Sequence, residues 1–168
     1  MERFKDPSAD TSGEHTALKK TRPSWDEYFM RIAHEVATRS TCPRLAVGAV
    51  IVRDKRILTT GYNGSPSGMP HCADVGCLIR VVDGRESCQR TLHAEQNAII
   101  QAAYHGVSVR ASMLYCTHQP CLLCTKMIMN AGIEEVRYAG GYPDPLALEL
   151  ASEGGVQMIR FLPGENGG

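Results

Sequence analysis

The residues best suited to chemistry lie in two short segments, HAE at residues 93–95 and PCLLC at residues 120–124. One imidazole and two thiolates are the ligand set of a zinc site that keeps its fourth position open. A closed structural site would need a fourth protein ligand, and it would have no use for a neighbouring carboxylate. The segments therefore predict a catalytic zinc site in which Glu95 moves protons. The predicted ligands are His93, Cys121 and Cys124.

The spacing of these residues suits two helix starts that meet at one metal ion. Cys121 and Cys124 are three positions apart, so both sulfurs lie on one face of a helix, in its first turn, where thiolates are favoured. Glu95 follows His93 by two positions and points elsewhere, as a proton shuttle should. A C-x-x-C pair alone would equally indicate structural zinc or a redox pair. The combined pattern H-x-E…P-C-x-x-C is typical of zinc-dependent nucleobase deaminases.

The rest of the chain predicts one α/β domain. Ser24 and Glu27 form a capping box at the start of a helix that should end near Ser40. We expect a disordered arm over 1–22, a single domain over 23–162 containing a cysteine-rich insert over 63–91, and a flexible tail over 163–168. Alternating strands and helices indicate helices packed on a sheet. The expected strands are 46–52, 56–61, 113–117, 136–139 and 156–161; the expected helices are 93–104, 120–130, with proline in its first turn, and 146–152; residues 62–91 are expected to be irregular.

Composition narrows the function classes. The 168 residues contain 18 basic and 18 acidic side chains, and this zero net charge argues against broad capture of a nucleic-acid backbone. No apolar run reaches the length of a membrane span, and the N-terminus lacks a secretory signal, so we expect a cytoplasmic protein. In that compartment the seven cysteines are expected to be metal ligands or free thiols.

Three segments carry a resemblance to a known family: VGAVIVRDKRILTTGYNGSPSG at 47–68, RTLHAEQNAI at 90–99 and the segment around 120–124. From about Trp25 to Phe161 the chain resembles the cytidine deaminase superfamily, and within it the deoxycytidylate (dCMP) deaminases. The zinc motif alone is shared by deaminases of nucleosides, tRNA adenosine, riboflavin precursors and guanine. The specific part is GYNGSPSG joined by a cysteine-rich insert to RTLHAEQNA.

This resemblance implies a three-layer α/β/α fold with a central five-stranded mixed sheet. It implies hydrolysis of dCMP to dUMP and ammonia, which supplies dUMP for dTTP synthesis, with Zn²⁺ on His93, Cys121 and Cys124. It also implies a homohexamer that responds to dCTP as activator and dTTP as inhibitor, with Mg²⁺ accompanying the nucleotide effector.

The resemblance also implies substrate-binding residues. Asn63 would hydrogen-bond the deoxyribose or the base, while Gly64 and Ser65 would lie near the phosphate, where glycines let backbone N–H groups approach an anion. Asn-Gly equally favours a tight turn at a strand end. Tyr142 is placed like the family aromatic that packs on the pyrimidine, although a Tyr beside Pro143 could equally pack at a sheet edge.

A second group of cysteines predicts a structural zinc. Cys42 and Cys72 lie where the resemblance places ligands in some microbial and viral dCMP deaminases. Metal binding would offset the ordering entropy of the long insert, although reduced surface thiols are the alternative. Cys116, in a predicted strand, is expected to be a core residue. The candidates for completing the site are Cys77, Cys88 and His71.

Three other functions stay open at this point. The first is a deaminase of another cytosine nucleotide, since residue spacing does not distinguish a monophosphate from a triphosphate. A deaminase of tRNA or another nucleic acid would call for a basic face, and the neutral charge argues against it. A catalytically silent, zinc-stabilised interaction module would show loss of Glu95 or of a ligand, and all are present.

Overall fold

The computed structural model describes residues 22–82, 84–141 and 143–162. The predicted arm apart from Arg22, the predicted tail, and Tyr142 lie outside these residues. In the described part of the chain no helix combines the length and the apolar character needed to cross a membrane. The elements are α1 (Trp25–Ala37), β1 (Gly48–Arg53), β2 (Arg56–Tyr62), α2 (Cys72–Val75), β3 (Ile79–Val82), β4 (Arg85–Cys88), α3 (Ala94–Tyr104), β5 (Ser112–His118), α4 (Leu122–Asn130), β6 (Ile133–Gly140), α5 (Pro145–Glu153) and β7 (Gln157–Arg160).

A mixed five-stranded sheet forms the centre of the fold, in the order β2-β1-β5-β6-β7. β1 pairs antiparallel with β2 and β5, whereas β5, β6 and β7 run parallel. Side chains alternate between the two faces of each strand, so Val50 and Ile51 of β1 enter different cores. Helix α1 covers one face, and α3, α4 and α5 cover the other. The predicted three-layer α/β/α fold is confirmed.

Helix α1 begins as its sequence predicts. The Ser24 hydroxyl accepts a hydrogen bond from the Glu27 amide at 3.2 Å, and the Glu27 carboxylate accepts one from the Ser24 amide at 3.0 Å. This reciprocal pair satisfies two amides that the first turn would otherwise leave unpaired. The helix ends at Ala37, three residues before the predicted end at Ser40.

Asp26 joins helix α1 to the sheet. Its carboxylate accepts a hydrogen bond from the Tyr115 hydroxyl at 2.7 Å and also pairs with the Arg137 guanidinium. Arg137 pairs in turn with Glu135 on the same strand, at 2.5 Å. The buried carboxylate of Asp26 therefore has both a neutral and a charged donor, as burial of a charge requires.

The insert contains regular structure that the sequence analysis missed. Residues 62–91 were expected to be irregular, yet they contain helix α2 and the antiparallel hairpin β3–β4. The Asp-Gly dipeptide at 83–84 is a recognised hairpin signal that could have located it. Helix α4 also begins later than predicted, since Cys121 is its N-cap and Pro120 precedes that cap.

Close packing of helix α3 on strand β2 depends on Gly61. A Cβ atom there would lie 2.2 Å from the Ala94 carbonyl oxygen and 2.4 Å from the Ala98 nitrogen. Because no side chain fits, the first turn of α3 rests directly on the strand. This contact positions the helix start that carries His93 and Glu95.

Candidate metal and catalytic site

The three predicted zinc ligands meet where helices α3 and α4 begin. His93 is the N-cap of α3, Cys121 is the N-cap of α4, and Cys124 lies in the first turn of α4. The Nδ1 atom of His93 is 3.5 Å from the Cys121 sulfur and 3.4 Å from the Cys124 sulfur. Tetrahedral zinc with its usual bond lengths would place nitrogen and sulfur about 3.5 Å apart. The donor set therefore fits a zinc ion.

Hydrogen bonds among His93, Cys121 and Cys124 shift their pKa values in a way that favours cation binding. Hydrogen bonds from the Cys124 thiol and from His93, together with the Cys124 amide, lower the pKa of Cys121 to about 4 despite its burial. The hydrogen bond to Cys121 raises the pKa of His93, and the same sulfur together with burial raises the pKa of Cys124. One thiolate is thus present at neutral pH, and metal binding would release the remaining protons.

Glu95 is buried beside the ligands, with only 3% of its surface exposed. Burial raises the pKa of its carboxyl group, and the nearby positive charge of His93 opposes that rise. A carboxyl group with a raised pKa can both take up and release a proton near neutral pH. The location and the pKa shift match what a proton shuttle requires.

The ligands open into a cavity of about 360 Å³, within the size range of small-molecule sites. The sequence analysis missed Arg44, the single Lys or Arg side chain that the described residues contribute to its lining, and His118, which ends β5. Arg44 follows the predicted ligand Cys42 by two positions and His118 precedes Cys121 by three, but neither belongs to a motif. The described lining is Cys42, Arg44, Leu45, Val47, Asn63, Glu86, Ser87, Cys88, Thr91, His93, Ala94, Glu95, His118, Gln119 and Cys121.

Asn63 lines this cavity, and its side chain also fixes the chain that leads into β1. Its Nδ2 donates to the Leu45 carbonyl at 2.7 Å, and its Oδ1 accepts from the Val47 amide at 2.8 Å. Both amide atoms retain capacity for one further hydrogen bond. Asn63 therefore holds the wall of the cavity in place.

Gly64 and Ser65 were expected near the substrate phosphate, but they line a different groove of about 920 Å³. Two backbone hydrogen bonds explain the difference, since the amide and carbonyl of Gly64 pair with those of Leu92 at 3.2 and 2.9 Å. This bridge turns the loop away from the catalytic cavity directly after Asn63. The hydroxyl oxygen of Ser65 is buried without a protein partner among the described residues.

The insert gathers a second set of sulfur atoms. The sulfurs of Cys72, Cys77 and Cys88 lie within 4.8 Å of one another, and those of Cys72 and Cys88 are 3.6 Å apart. Two thiolates on tetrahedral zinc would be about 3.8 Å apart, so this set also fits zinc. Burial and the two neighbouring thiols raise the pKa of Cys72 to about 12. Backbone amides, the first from Arg90, overcome burial and lower the pKa of Cys88 to about 7.

The two remaining candidates for this second site, His71 and Cys42, line different cavities. His71, one of the candidates for completing the sulfur site, is exposed and lines the groove of Gly64 and Ser65, so the structure does not bring it to the cluster. Its backbone caps α2 and its ring lies outside the cluster. Cys42 lines the catalytic cavity, as does Cys88. Cys116 is fully buried in the core, as expected.

Comparison with known proteins gives a consistent result. A family model described as the cytidine and deoxycytidylate deaminase zinc-binding region matches residues 23–140. ComE operon protein 2 of Bacillus subtilis (strain 168) is 52% identical over 138 residues, covering 82% of this chain and 71% of that protein. The deoxycytidylate deaminase of Schizosaccharomyces pombe is 41% identical over 152 residues. That match covers 86% of this chain but 46% of the yeast protein, so the chain spans under half of that relative's length.

The fold has a solved counterpart. The crystal structure of the dCMP deaminase from cyanophage S-TIM5, in complex with dCMP and dUMP, superimposes with a TM-score of 0.71 at 34% identity. The superposition covers 84% of this chain and 99% of the phage protein.

Proposed function

The chain belongs to the cytidine and deoxycytidylate deaminases, and we propose that it converts dCMP and water to dUMP and ammonia. The proposal rests on one observation. The Nδ1 atom of His93 lies 3.4–3.5 Å from the sulfurs of Cys121 and Cys124, and the buried Glu95 lies beside this group. The S-TIM5 enzyme, solved with dCMP and dUMP, supports the choice of nucleotide. The dUMP formed would be a precursor for dTTP synthesis.

Zinc held by His93, Cys121 and Cys124 would supply the Lewis-acid activation of water at neutral pH. The chain's own contribution is the movement of protons. The water oxygen ends on C4 of the cytosine and the exocyclic amine leaves as ammonia, so protons must travel from the water to the ring and to the leaving nitrogen. The carboxylate of Glu95 takes up the proton and delivers it, because it is buried beside the metal ligands and its pKa is raised.

Arg44 is the side chain that we assign to the substrate's monophosphate. The described lining of the cavity contains no other Lys or Arg side chain, and a guanidinium binds phosphate oxygens in a bidentate fashion. Arg44 is exposed, whereas Glu95 is buried, so the phosphate would lie at the mouth when the pyrimidine lies at the metal. Arg44→Gln should therefore raise KM for dCMP and leave deoxycytidine turnover unchanged.

A second, structural zinc is part of the proposal. Cys72, Cys77 and Cys88 supply three ligands at suitable spacing. We assign Cys42 as the fourth, because it lines the same cavity as Cys88 and lies close enough to Cys77 to contribute, after burial, to the raised pKa of that thiol. Since a structural site needs four protein ligands, this metal would fasten the hairpin β3–β4 to the wall of the catalytic cavity.

The family resemblance implies regulation by nucleotide effectors and assembly into a hexamer. We propose the groove beside Gly64 and Ser65 as the place for a nucleotide effector with Mg²⁺. Its size of about 920 Å³, its hydroxyl-rich lining and the Ser65 hydroxyl, which has no partner in the described part of the chain, support this assignment. A shift of the dCMP saturation curve on adding dCTP or dTTP with Mg²⁺ would test it. The predicted hexamer is testable by light scattering of the zinc-loaded protein.

The substrate is tested by offering dCMP, dCTP, cytidine and a cytosine oligonucleotide to the purified protein. We expect loss of cytosine absorbance and equimolar ammonia release with dCMP at the highest kcat/KM. Preference for the oligonucleotide would favour a nucleic-acid deaminase. No ammonia from any compound, in protein that contains zinc, would favour a silent binding module.

A further inference from the structure

His118 lines the catalytic cavity although it belongs to no motif. It is the last residue of β5, three positions before the ligand Cys121, and its side chain is half-buried. Its Nδ1 atom is 3.0 Å from the hydroxyl oxygen of Thr117. The structure gives its Nε2 atom no protein partner among the described residues.

The Thr117 hydroxyl determines which nitrogen of His118 carries the proton. Thr117 is buried, and its oxygen accepts a hydrogen bond from the Gly48 amide at 3.1 Å. Among the described residues the hydroxyl proton has one acceptor within reach, the Nδ1 atom of His118. If Nδ1 carried a proton instead, the buried hydroxyl would lose its acceptor, which is unfavourable. Nδ1 therefore accepts, and the proton of the neutral ring lies on Nε2.

The surroundings of His118 favour this neutral ring. Burial lowers the pKa of the imidazole, and the electrostatic interaction with His34 on helix α1 lowers it further. Near neutral pH the ring is thus uncharged and keeps the lone pair that the Thr117 hydroxyl needs. The Gly48–Thr117–His118 chain leaves a single N–H donor of fixed identity at the cavity.

The burial of Glu95 indicates which part of the nucleotide the Nε2–H donor of His118 would bind. The pyrimidine must reach Glu95 and the zinc ligands, where the exposed fraction of Glu95 is only 3%. His118 is half-buried and lines the same cavity outside the ligand set, so its donor is available to the rest of the nucleotide. We propose that His118 binds substrate by donating its Nε2–H to an oxygen of the deoxyribose–phosphate part. This inference rests on the proposed function, because it takes the nucleotide to be dCMP.

Kinetics of the zinc-loaded protein test the contact. We expect His118→Ala to raise KM for dCMP about 10-fold and to leave kcat within about 3-fold, as loss of one hydrogen bond to bound substrate predicts. His118→Gln should recover most of the loss, since its amide can donate from a similar position. Comparing deoxycytidine with dCMP locates the acceptor: an effect on both places it on the sugar, and an effect on dCMP alone places it on the phosphate. An unchanged KM in His118→Ala would overturn the proposal.

Nitrogen NMR of the imidazole rings tests the tautomer without relying on turnover. The parent protein and Thr117→Ser should show His118 protonated at Nε2, whereas Thr117→Val should lose this preference. A signal showing protonation at Nδ1 in the parent would overturn the proposal. If the parent binds dCMP but does not deaminate it, the proposed function fails. Calorimetry of dCMP binding to His118→Ala then decides the contact separately, with unchanged affinity counting against it.

Discussion

Asp144 accepts a hydrogen bond from the backbone amide of Leu122, the first residue of helix α4, at 3.1 Å from its Oδ2 atom. Its Oδ1 atom accepts a second bond, from the Ala147 amide in the first turn of α5, at 3.2 Å. One carboxylate thus caps two helices. The N-cap of α4 is Cys121, whose sulfur is assigned to zinc, so Asp144 satisfies an amide at the start of this ligand-bearing helix.

Replacement of Asp144 should therefore weaken zinc binding as well as the fold. We expect Asp144→Ala to lower the free energy of unfolding by about 1–2 kcal/mol, as other N-cap losses do, and to release zinc at lower chelator concentration. Ser24→Ala is the matched control, since it removes a helix cap in the opposite layer. Equal zinc retention in the two variants would show that Asp144 stabilises the fold without positioning the ligand.

The residues of the zinc site and the strands of the sheet are predictable from the sequence. His93, Glu95, Cys121 and Cys124 could be proposed from the sequence because imidazole and thiolates at this spacing have few uses. The five strands of the sheet were also predicted, with ends that differ from the observed ones by up to three residues. Such motifs and periodic patterns are local properties of the chain.

Residues whose role depends on which loops meet could not be predicted in this way. Asp144, Arg44 and His118 are single residues of common types that belong to no motif, and the contacts that give them a role are visible only in the folded chain. Gly64 and Ser65 show the same limit, because one bridge to Leu92 decides which groove they face. Backbone pairing between segments of low regularity leaves little trace in residue spacing.

Glu95→Gln should separate proton transfer from metal binding. The amide has the size of the carboxylate but cannot carry the proton, so we expect normal zinc content and melting temperature with turnover reduced by at least about 10³-fold. Ordinary activity in this variant would show that another group moves the proton. Cys121→Ala serves as the contrasting variant, in which zinc and activity should be lost together.

Zinc stoichiometry tests the sulfur cluster of the insert. Elemental analysis should give two zinc ions per chain for the parent protein and one for Cys72→Ser, since a structural site with three ligands binds metal much less tightly. Cys116→Ala provides the control, because this buried cysteine lies outside both ligand sets and should leave two. A parent protein with one zinc per chain would remove the second site from the proposal.

Because Tyr115 is protonated in the folded protein, the free energy of unfolding should fall as the pH rises above about 10. Burial and the hydrogen bond to Asp26 raise the pKa of Tyr115 far above its ordinary value of about 10. Above that pH the unfolded chain loses this proton while the folded protein retains it, so stability is complete below about pH 10 and declines as pH rises.

Chemical denaturation between pH 8 and 11 measures this dependence. Tyr115→Phe should be less stable than the parent at pH 8, by about 1 kcal/mol for the lost hydrogen bond, but its stability should fall less steeply with pH. Tyr104→Phe, at a residue that is 80% exposed, should retain the parent's slope. Identical slopes in all three proteins would mean that Tyr115 ionises in the folded state as readily as in the unfolded state.

Gly61→Ala tests whether the contact between β2 and α3 positions the catalytic residues. The new methyl group would meet the Ala94 carbonyl and the Ala98 amide, and these backbone atoms cannot move without displacing the helix. We expect a loss of stability of about 3 kcal/mol from overpacking. We also expect a fall in kcat/KM of about 10²-fold, because Glu95 follows Ala94 directly and small displacements of reacting groups are costly.

Gly140→Ala is the matched substitution for Gly61→Ala. A Cβ atom at Gly140 would find its nearest neighbour at 3.8 Å, an ordinary contact, although this residue also lies in the sheet. Its stability and kinetics should stay close to those of the parent. If Gly61→Ala lost stability but kept its kcat/KM at a temperature where it is folded, α3 would tolerate displacement, and Glu95 would owe its position to the zinc ligands instead of the packing on β2.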